Sequence, residues 1–290
     1  MEKSQSSRED PLLHAPLNQG DLYLVHSKHK KLLTPKFQNK LIGLQRYVLW
    51  HQPIGSKNYY VSEFPKSGGT WFCQMLSSLT TVPFPRNKFI TVMPCIMHSH
   101  LVPHHKMNSP IVILRDGRDI MVSAYHHFII PNDHCPPHEQ RRWSSMLDSS
   151  SLQDVSANLY RFIEVFHENY TVGNKSTTWQ DHVLECHELG SLSITYEDLL
   201  SHPSQELIRV KEYLNLDSNL EAIEQVIEKF SFKRMKEKNP ESTFLRKGTS
   251  GDWKNYFTFD SGELFESLGG EALRLHNYTA DNTWYHELPR

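Results

Sequence analysis

Lys66, Ser67 and Thr70, set around Gly68 and Gly69, are residues that could hold an anion. The lysine brings a mobile full charge and the hydroxyls bring donors. The glycines let the backbone turn sharply and approach a ligand with no Cβ in the way. A helix beginning near Thr70 would aim its free N–H groups and positive dipole end at whatever occupies the turn. Arg115 and Ser123, eight residues apart, form a second group whose fork and hydroxyl suit a phosphate monoester. His98 and His100 supply imidazoles able to take a proton near neutral pH. Arg246-Lys247-Gly248 is a basic, glycine-bearing loop further on.

The order of these residues narrows the anion. A loop holding a magnesium–triphosphate runs G-x-x-x-x-G-K-[ST], with lysine after the last glycine. Lys66 precedes both glycines here, and no Gly-Lys-Ser/Thr follows. Triphosphate held with Mg²⁺ is therefore not the expected ligand.

The elements that must position these groups are legible in outline. Tyr59–Phe64, rich in aromatic and β-branched residues, reads as a strand leading into a helix over about 70–80. Phe89–Met97 is a second apolar run ending at His98. Ile111–Leu114 is a short continuous apolar strand, followed by a helix over Ile120–Phe128. Helices are expected at about 158–168, 178–189, 203–214 and 220–230, with a strand at Leu192–Thr195. The Pro-, Ser- and His-rich stretch 131–158 is expected to be irregular. Residues 1–20 read as a flexible arm, and residues 21–290 as a single domain whose lead-in packs on the sheet. Repeated strand-turn-helix units give an α/β fold with a central parallel sheet flanked by helices. Ligands in such sheets sit at the carboxyl ends of strands, where Lys66, His100 and Arg115 all fall.

Composition excludes several partners. The 290 residues carry 31 basic and 33 acidic side chains, a formal charge of −2. That balance offers no footprint for nucleic acid or an anionic membrane. The longest apolar runs fall short of a membrane span. Four scattered cysteines without C-x-x-C suggest reduced thiols and a cytoplasmic protein. The histidines show no zinc-type spacing, so no metal is expected.

Pro65-Lys66-Ser67-Gly68-Gly69-Thr70-Trp71 resembles P-K-S-G-T-T-W, the 5′-phosphosulfate loop of sulfotransferases that use 3′-phosphoadenosine 5′-phosphosulfate (PAPS), with Gly69 in place of the first threonine. R-D-G-R-D-I-M-V-S from Arg115 resembles the family's 3′-phosphate motif, which implies that Arg115 and Ser123 hold that phosphate. Arg246-Lys247-Gly248-Thr249-Ser250-Gly251-Asp252-Trp253-Lys254 matches R-K-G-x-x-G-D-W-K, so Arg246, Lys247 and the Gly248 amide would complete the site. Ser231-Phe232 resembles the S-F-x-x-M segment, which with Trp71 implies an adenine sandwich, and Tyr196 matches a tyrosine that bonds the adenine edge. Phe230 stands where members often have threonine. His98-Ser99-His100 aligns with K-[TS]-H, which implies His100 as general base and leaves His98 as its rival.

The resemblance further implies a sulfotransferase fold with a P-loop-like 5′-phosphosulfate loop. Lys66 would stabilise the leaving phosphate, and the product would be 3′-phosphoadenosine 5′-phosphate (PAP). The acceptor expected is a hydroxyl or amine of a small molecule. Trp179-Gln180-Asp181-His182-Val183 resembles W-x-x-H-V, and 254–263 resembles the short dimer segment of cytosolic members, implying a homodimer. The rival expectations are an inactive PAPS/PAP-binding protein and an ATP-dependent phosphotransferase.

Overall fold

The computed structural model describes residues 58–86, 94–103, 107, 109–147, 151–172, 175–238 and 247–290. The N-terminal arm, the lead-in expected to pack on the sheet, most of the 89–97 run, His104, His105 and Arg246 lie outside the described residues.

Four strands, β1 (Tyr59–Glu63), β2 (Ile96–Ser99), β3 (Ile111–Leu114) and β6 (Leu192–Thr195), form one parallel sheet in the order β2-β1-β3-β6. Between β3 and β6 lies a two-stranded antiparallel ribbon, β4 (Thr171–Val172) and β5 (Lys175–Ser176). Alternation along β3 divides the core. Val112 and Leu114 face one apolar cluster, Ile111 and Ile113 the other. Because β3 is covered on both faces, it can be an unbroken apolar run.

Helix α1 (Gly69–Thr80) leaves β1 and buries Phe72, Cys73, Met75, Leu76 and Leu79 on the second cluster. That spacing is one face of a helix. Helix α2 (Gly117–Phe128) leaves β3, capped by the Asp116 carboxylate accepting from the Arg118 N–H, and packs on the first cluster. Each helix starts at the carboxyl end of its strand, so both N-termini face the same edge of the sheet.

The stretch expected to be irregular is partly ordered. It contains α3 (Pro137–Ser144), and α4 (Val155–Asn169) starts earlier than its apolar periodicity suggests. Pro137 fits a first helical turn, where no N–H is needed, and Trp143 fastens α3 to the core at 2 % exposure. The expected helices and strand that follow are α5 (Trp179–Glu188), β6, α7 (Pro203–Leu214) and α8 (Leu220–Lys229), with a short α6 (Tyr196–Ser201) that was not expected between β6 and α7. Two later helices likewise had no expectation, α9 (Phe232–Lys238) and α10 (Phe259–Leu275).

Candidate active site

At the carboxyl ends of β1, β2 and β3 lies a cleft of about 450 Å³. Lys66, Gly68, Thr70, Trp71, His100, Arg115, Ser123, Tyr196, Phe232, Lys247 and Gly248 line it together. Ser67 and Gly69 do not. The Ser67 side chain is buried and its hydroxyl donates to the Phe64 carbonyl at 2.7 Å. The Gly69 N–H is turned back to the Glu63 carboxylate. Of the five loop residues, only Lys66, Gly68 and Thr70 therefore line the cleft.

The turn is held from several sides. Lys66 has φ 75°, a left-handed conformation seldom adopted by a side-chain-bearing residue, and its carbonyl accepts from Arg115 Nη1 at 3.1 Å. Gly68 has φ 96°, and a Cβ there would stand 2.7 Å from the Tyr196 ring. Tyr196 is thereby enclosed by Gly68, by Trp71 at 5.8 Å between ring centroids, and by the Arg115 guanidinium 4.3 Å above its ring. Trp71 is fixed in turn, its Nε1 donating to the Phe230 carbonyl at 2.9 Å. The backbone of residue 230 thus orients the indole where the family pattern has a threonine side chain.

Arg115 is 8 % exposed and spreads its fork across the loops. Nη1 reaches Lys66, and Nη2 reaches the Thr249 carbonyl at 3.4 Å and the Asp119 carboxylate at 3.8 Å. Its buried Nε has no hydrogen-bond partner in the structure. A buried guanidinium N–H of this kind is costly unless a ligand completes it. Gly248, at φ 64°, lies so close to Phe232 that any side chain there would collide with the ring. The Lys247 ammonium meets Asp252 at 2.7 Å.

The histidine end holds a residue the sequence reading passed over. Glu63, last in β1 and 3 % exposed, receives His98 Nε2 at 2.9 Å. Its backbone carbonyl lies 3.3 Å from His100 Nδ1, and its carboxylate 3.9 Å from the same nitrogen. A carbonyl only accepts, so this bond puts the His100 proton on Nδ1 and the lone pair on Nε2. Burial pushes the Glu63 carboxyl up, but the His98 hydrogen bond, both histidines' charges and the Gly69 N–H outweigh it and hold it below the ordinary value. The signal available in the sequence was a single carboxylate ending an apolar strand directly before the phosphate loop.

Further wall residues are Arg86, His127, Phe128 and Tyr170. Burial, then the charges of Lys66 and His134, push His127 down to about 4, so it is neutral at pH 7. The stretch 254–263 spans the end of a 3-10 turn and the start of α10, with Thr258 and Ser261 forming a capping box.

Residues 87–276, about two thirds of the chain, match the model of the sulfotransferase domain. The chain belongs to this family. The match begins after the phosphate loop, so the loop's assignment rests on its own residues and on longer alignments. One is with sulfotransferase 1A1 of Rattus norvegicus, 26% identical, covering 84% of this chain and 92% of that protein. Another is with the amine sulfotransferase of Oryctolagus cuniculus, 23% identical, covering 76% and 82%. Among solved structures, a mouse sulfotransferase complexed with PAP superposes with a TM-score of 0.59 at 20% identity, covering 80% of this chain and 93% of that one. A retinol dehydratase complexed with retinol and PAP gives a TM-score of 0.54 at 18% identity, covering 78% and 83%. These likenesses show the sulfotransferase fold, an α/β fold around a central parallel sheet.

Proposed function

We propose that the protein transfers a sulfuryl group from PAPS to a hydroxyl or amine of a small molecule. One observation carries the reading: Arg115, whose buried Nε has no hydrogen-bond partner, lines a cleft together with Lys66, Ser123, Lys247 and His100. The PAP-bound relatives of the same fold support it. In this reading Arg115, Ser123, Arg246, Lys247 and the Gly248 N–H hold the 3′-phosphate. Lys66 and Thr70 face the 5′-phosphosulfate, and Trp71 and Phe232 flank the adenine. A bond from the acceptor oxygen or nitrogen to sulfur forms as the sulfur–oxygen bond to the 5′-phosphate breaks. His100 Nε2 accepts the acceptor's proton and Lys66 offsets the charge growing on the leaving oxygen. Phe128, Tyr170 and His127 line the same cleft, and no donor role claims them. A cytoplasmic location belongs to the same reading, since all four cysteines are free and buried. So does a homodimer through 254–263.

Calorimetric titration of PAP, with 5′-AMP and Mg²⁺–ATP as controls, tests the donor site. Binding at least about tenfold tighter than 5′-AMP is expected, a preference of roughly 1.4 kcal/mol or more. Preference for Mg²⁺–ATP would return the site to phosphoryl transfer. Arg115→Ala should lose most of that preference. Lys66→Ala should keep PAP affinity and lose turnover, and His100→Ala should abolish turnover. A larger loss in His98→Ala than in His100→Ala would move the base to His98.

A second reading, a PAP-binding protein without turnover, draws on the inward-turned Ser67 hydroxyl and Gly69 N–H, which leave the phosphosulfate loop with fewer donors. Tight PAP binding with no transfer to any acceptor in a broad phenol, alcohol and amine screen would establish it.

A further inference from the structure

Glu63, His98 and His100 bring one carboxylate and two imidazoles together at the carboxyl ends of the adjacent parallel strands β1 and β2. Their ligating atoms all lie within 4.8 Å of one another. We propose that this triad is a binding site for one divalent cation of the zinc type, and that filling it silences the enzyme. The binding half is independent of the transfer reading, while the silencing half rests on it.

The donor set and spacing fit such an ion. Zinc takes two histidines and one carboxylate in open sites, with a fourth position for water or substrate. Ligands around a tetrahedral zinc stand about 3.3 Å apart, given bonds near 2.0–2.1 Å. His98 Nε2 and His100 Nδ1 stand 2.9 and 3.9 Å from Glu63 Oε1, on either side of that separation. Small side-chain rotations suffice. Magnesium and calcium, which want oxygen donors, do not suit two imidazoles.

The support behind the ligands is also present. Gly69 N–H holds Glu63 Oε2 and leaves Oε1 toward the histidines. Such outer hydrogen bonds orient metal-ligating carboxylates. Glu63 and His98 sit on hydrogen-bonded strands, β1 and β2, with Val61 paired to His98. That pairing fixes their relative positions. All three residues line the cleft and His100 is only partly buried, so an ion has an entry path and room for a further ligand. His98 stands where the family pattern has lysine, a group with no lone pair to offer at neutral pH. The replacement turns a charge into a ligand. An ion here occupies nitrogens of both histidines, breaks the His100 Nδ1 bond to the Glu63 carbonyl, and brings positive charge against Lys66 beside it in the cleft.

The experiment is calorimetric titration of Zn²⁺, and separately Mg²⁺, into metal-free full-length protein, with Co²⁺ visible absorption as a probe of low-symmetry coordination. One Zn²⁺ per chain, no saturable Mg²⁺ heat and intense Co²⁺ bands are expected. Each of Glu63→Gln, His98→Ala and His100→Ala should weaken Zn²⁺ by at least about tenfold, the lower end for disturbing even the outer shell of a site. His100 is the least buried of the three, so His100→Ala decides the matter if the buried replacements misfold. No saturable Zn²⁺ binding, or affinity unchanged in a folded His100→Ala, would overturn the site and place any bound zinc on other histidines. Turnover should fall on Zn²⁺ addition and return with a chelator. Undiminished turnover with zinc bound would overturn the silencing and leave the site standing.

Discussion

Glu63 fills the space that a side chain at position 69 would need. A Cβ on Gly69 would stand 2.5 Å from the Glu63 carboxyl carbon, so the glycine in the phosphate loop and the carboxylate at the strand end are one design choice. The family's threonine cannot return alone. Gly69→Thr should lose roughly 1–3 kcal/mol of stability in urea or guanidinium unfolding, the usual cost of overpacking a tight site. Glu63→Ser alone should also lose stability, because it removes hydrogen bonds made to His98 and to the Gly69 N–H. Glu63→Ser/Gly69→Thr should recover part of both losses, with a coupling energy of about 0.5–3 kcal/mol between contacting sites. Strictly additive losses would mean that the two positions do not compete. The Arg115–Asp119 stretch shows the same division of labour among neighbours. Arg115 faces the cleft, whereas Arg118 pairs with Asp116 at 2.7 Å and lies over the rings of Trp253 and Trp284 at 3.9 and 4.5 Å.

The first turn of α2 does more than begin a helix. Asp119, fully buried, accepts from the Gly251 N–H at 2.7 Å and the Trp253 N–H at 2.9 Å, and so fastens the segment carrying Lys247 and Gly248 to the carboxyl end of the sheet. Asp119→Ala would leave these donors unpaired at about 1–3 kcal/mol each where they are buried. It should lower PAP affinity while leaving Lys66 and His100 in place, and hydrogen exchange over 247–253 should accelerate. Unchanged exchange in that loop would show that something else holds it. None of this was legible in the sequence, because a buried carboxylate contacting amides 132 and 134 residues away leaves no local trace. The strands and helices that carry the site were legible, since β3 is an unbroken apolar run, β1 and β6 are rich in aromatic and β-branched residues, and α1, α7 and α8 have one apolar face. Helix α10 was not, because Gly262, Gly269 and Gly270 argue against helix at roughly 1 kcal/mol each. Contacts explain two of them: a Cβ would stand 2.5 Å from Tyr285 at Gly262 and 3.1 Å from Phe265 at Gly269. Gly270 is crowded by the Glu266 carboxylate. The resemblance singled out residues that line one cleft, but it had no place for Glu63, whose position comes from strand pairing.

At the scale of the whole molecule, buried groups that titrate in opposite senses oppose each other across the acidic range. His182 is fully buried between the sheet and α5, its Nε2 3.4 Å from Ser62 Oγ. Burial, then the charges of His100 and Lys175, push it from 6.5 down to about 4. The unfolded chain therefore binds the extra proton between those values, and stability from this group falls as pH drops through the window. His127, pushed down to about 4, and His276, also lowered, act in the same sense. Glu197 runs the other way. Burial, with the charge of Asp116 adding, pushes it from 4.5 up to about 7, so the folded state binds the proton first and stability rises on acidification through that range. Asp119, also raised by burial, adds to the Glu197 side. Glu63, held below its ordinary value, matters only below about 4.5. A displacement of this size corresponds to roughly 3 kcal/mol for a well-buried group. His182 and Glu197 thus nearly offset, and each variant should tilt the balance alone. Between pH 7 and pH 4.5, His182→Gln should raise the Tm in acid relative to neutral, compared with wild type, by on the order of 5–10 °C. Glu197→Gln should lower it by a similar amount. Thermal melts at the two pH values decide this, and a shift of the same sign in both variants would mean that these two groups do not set the acid response.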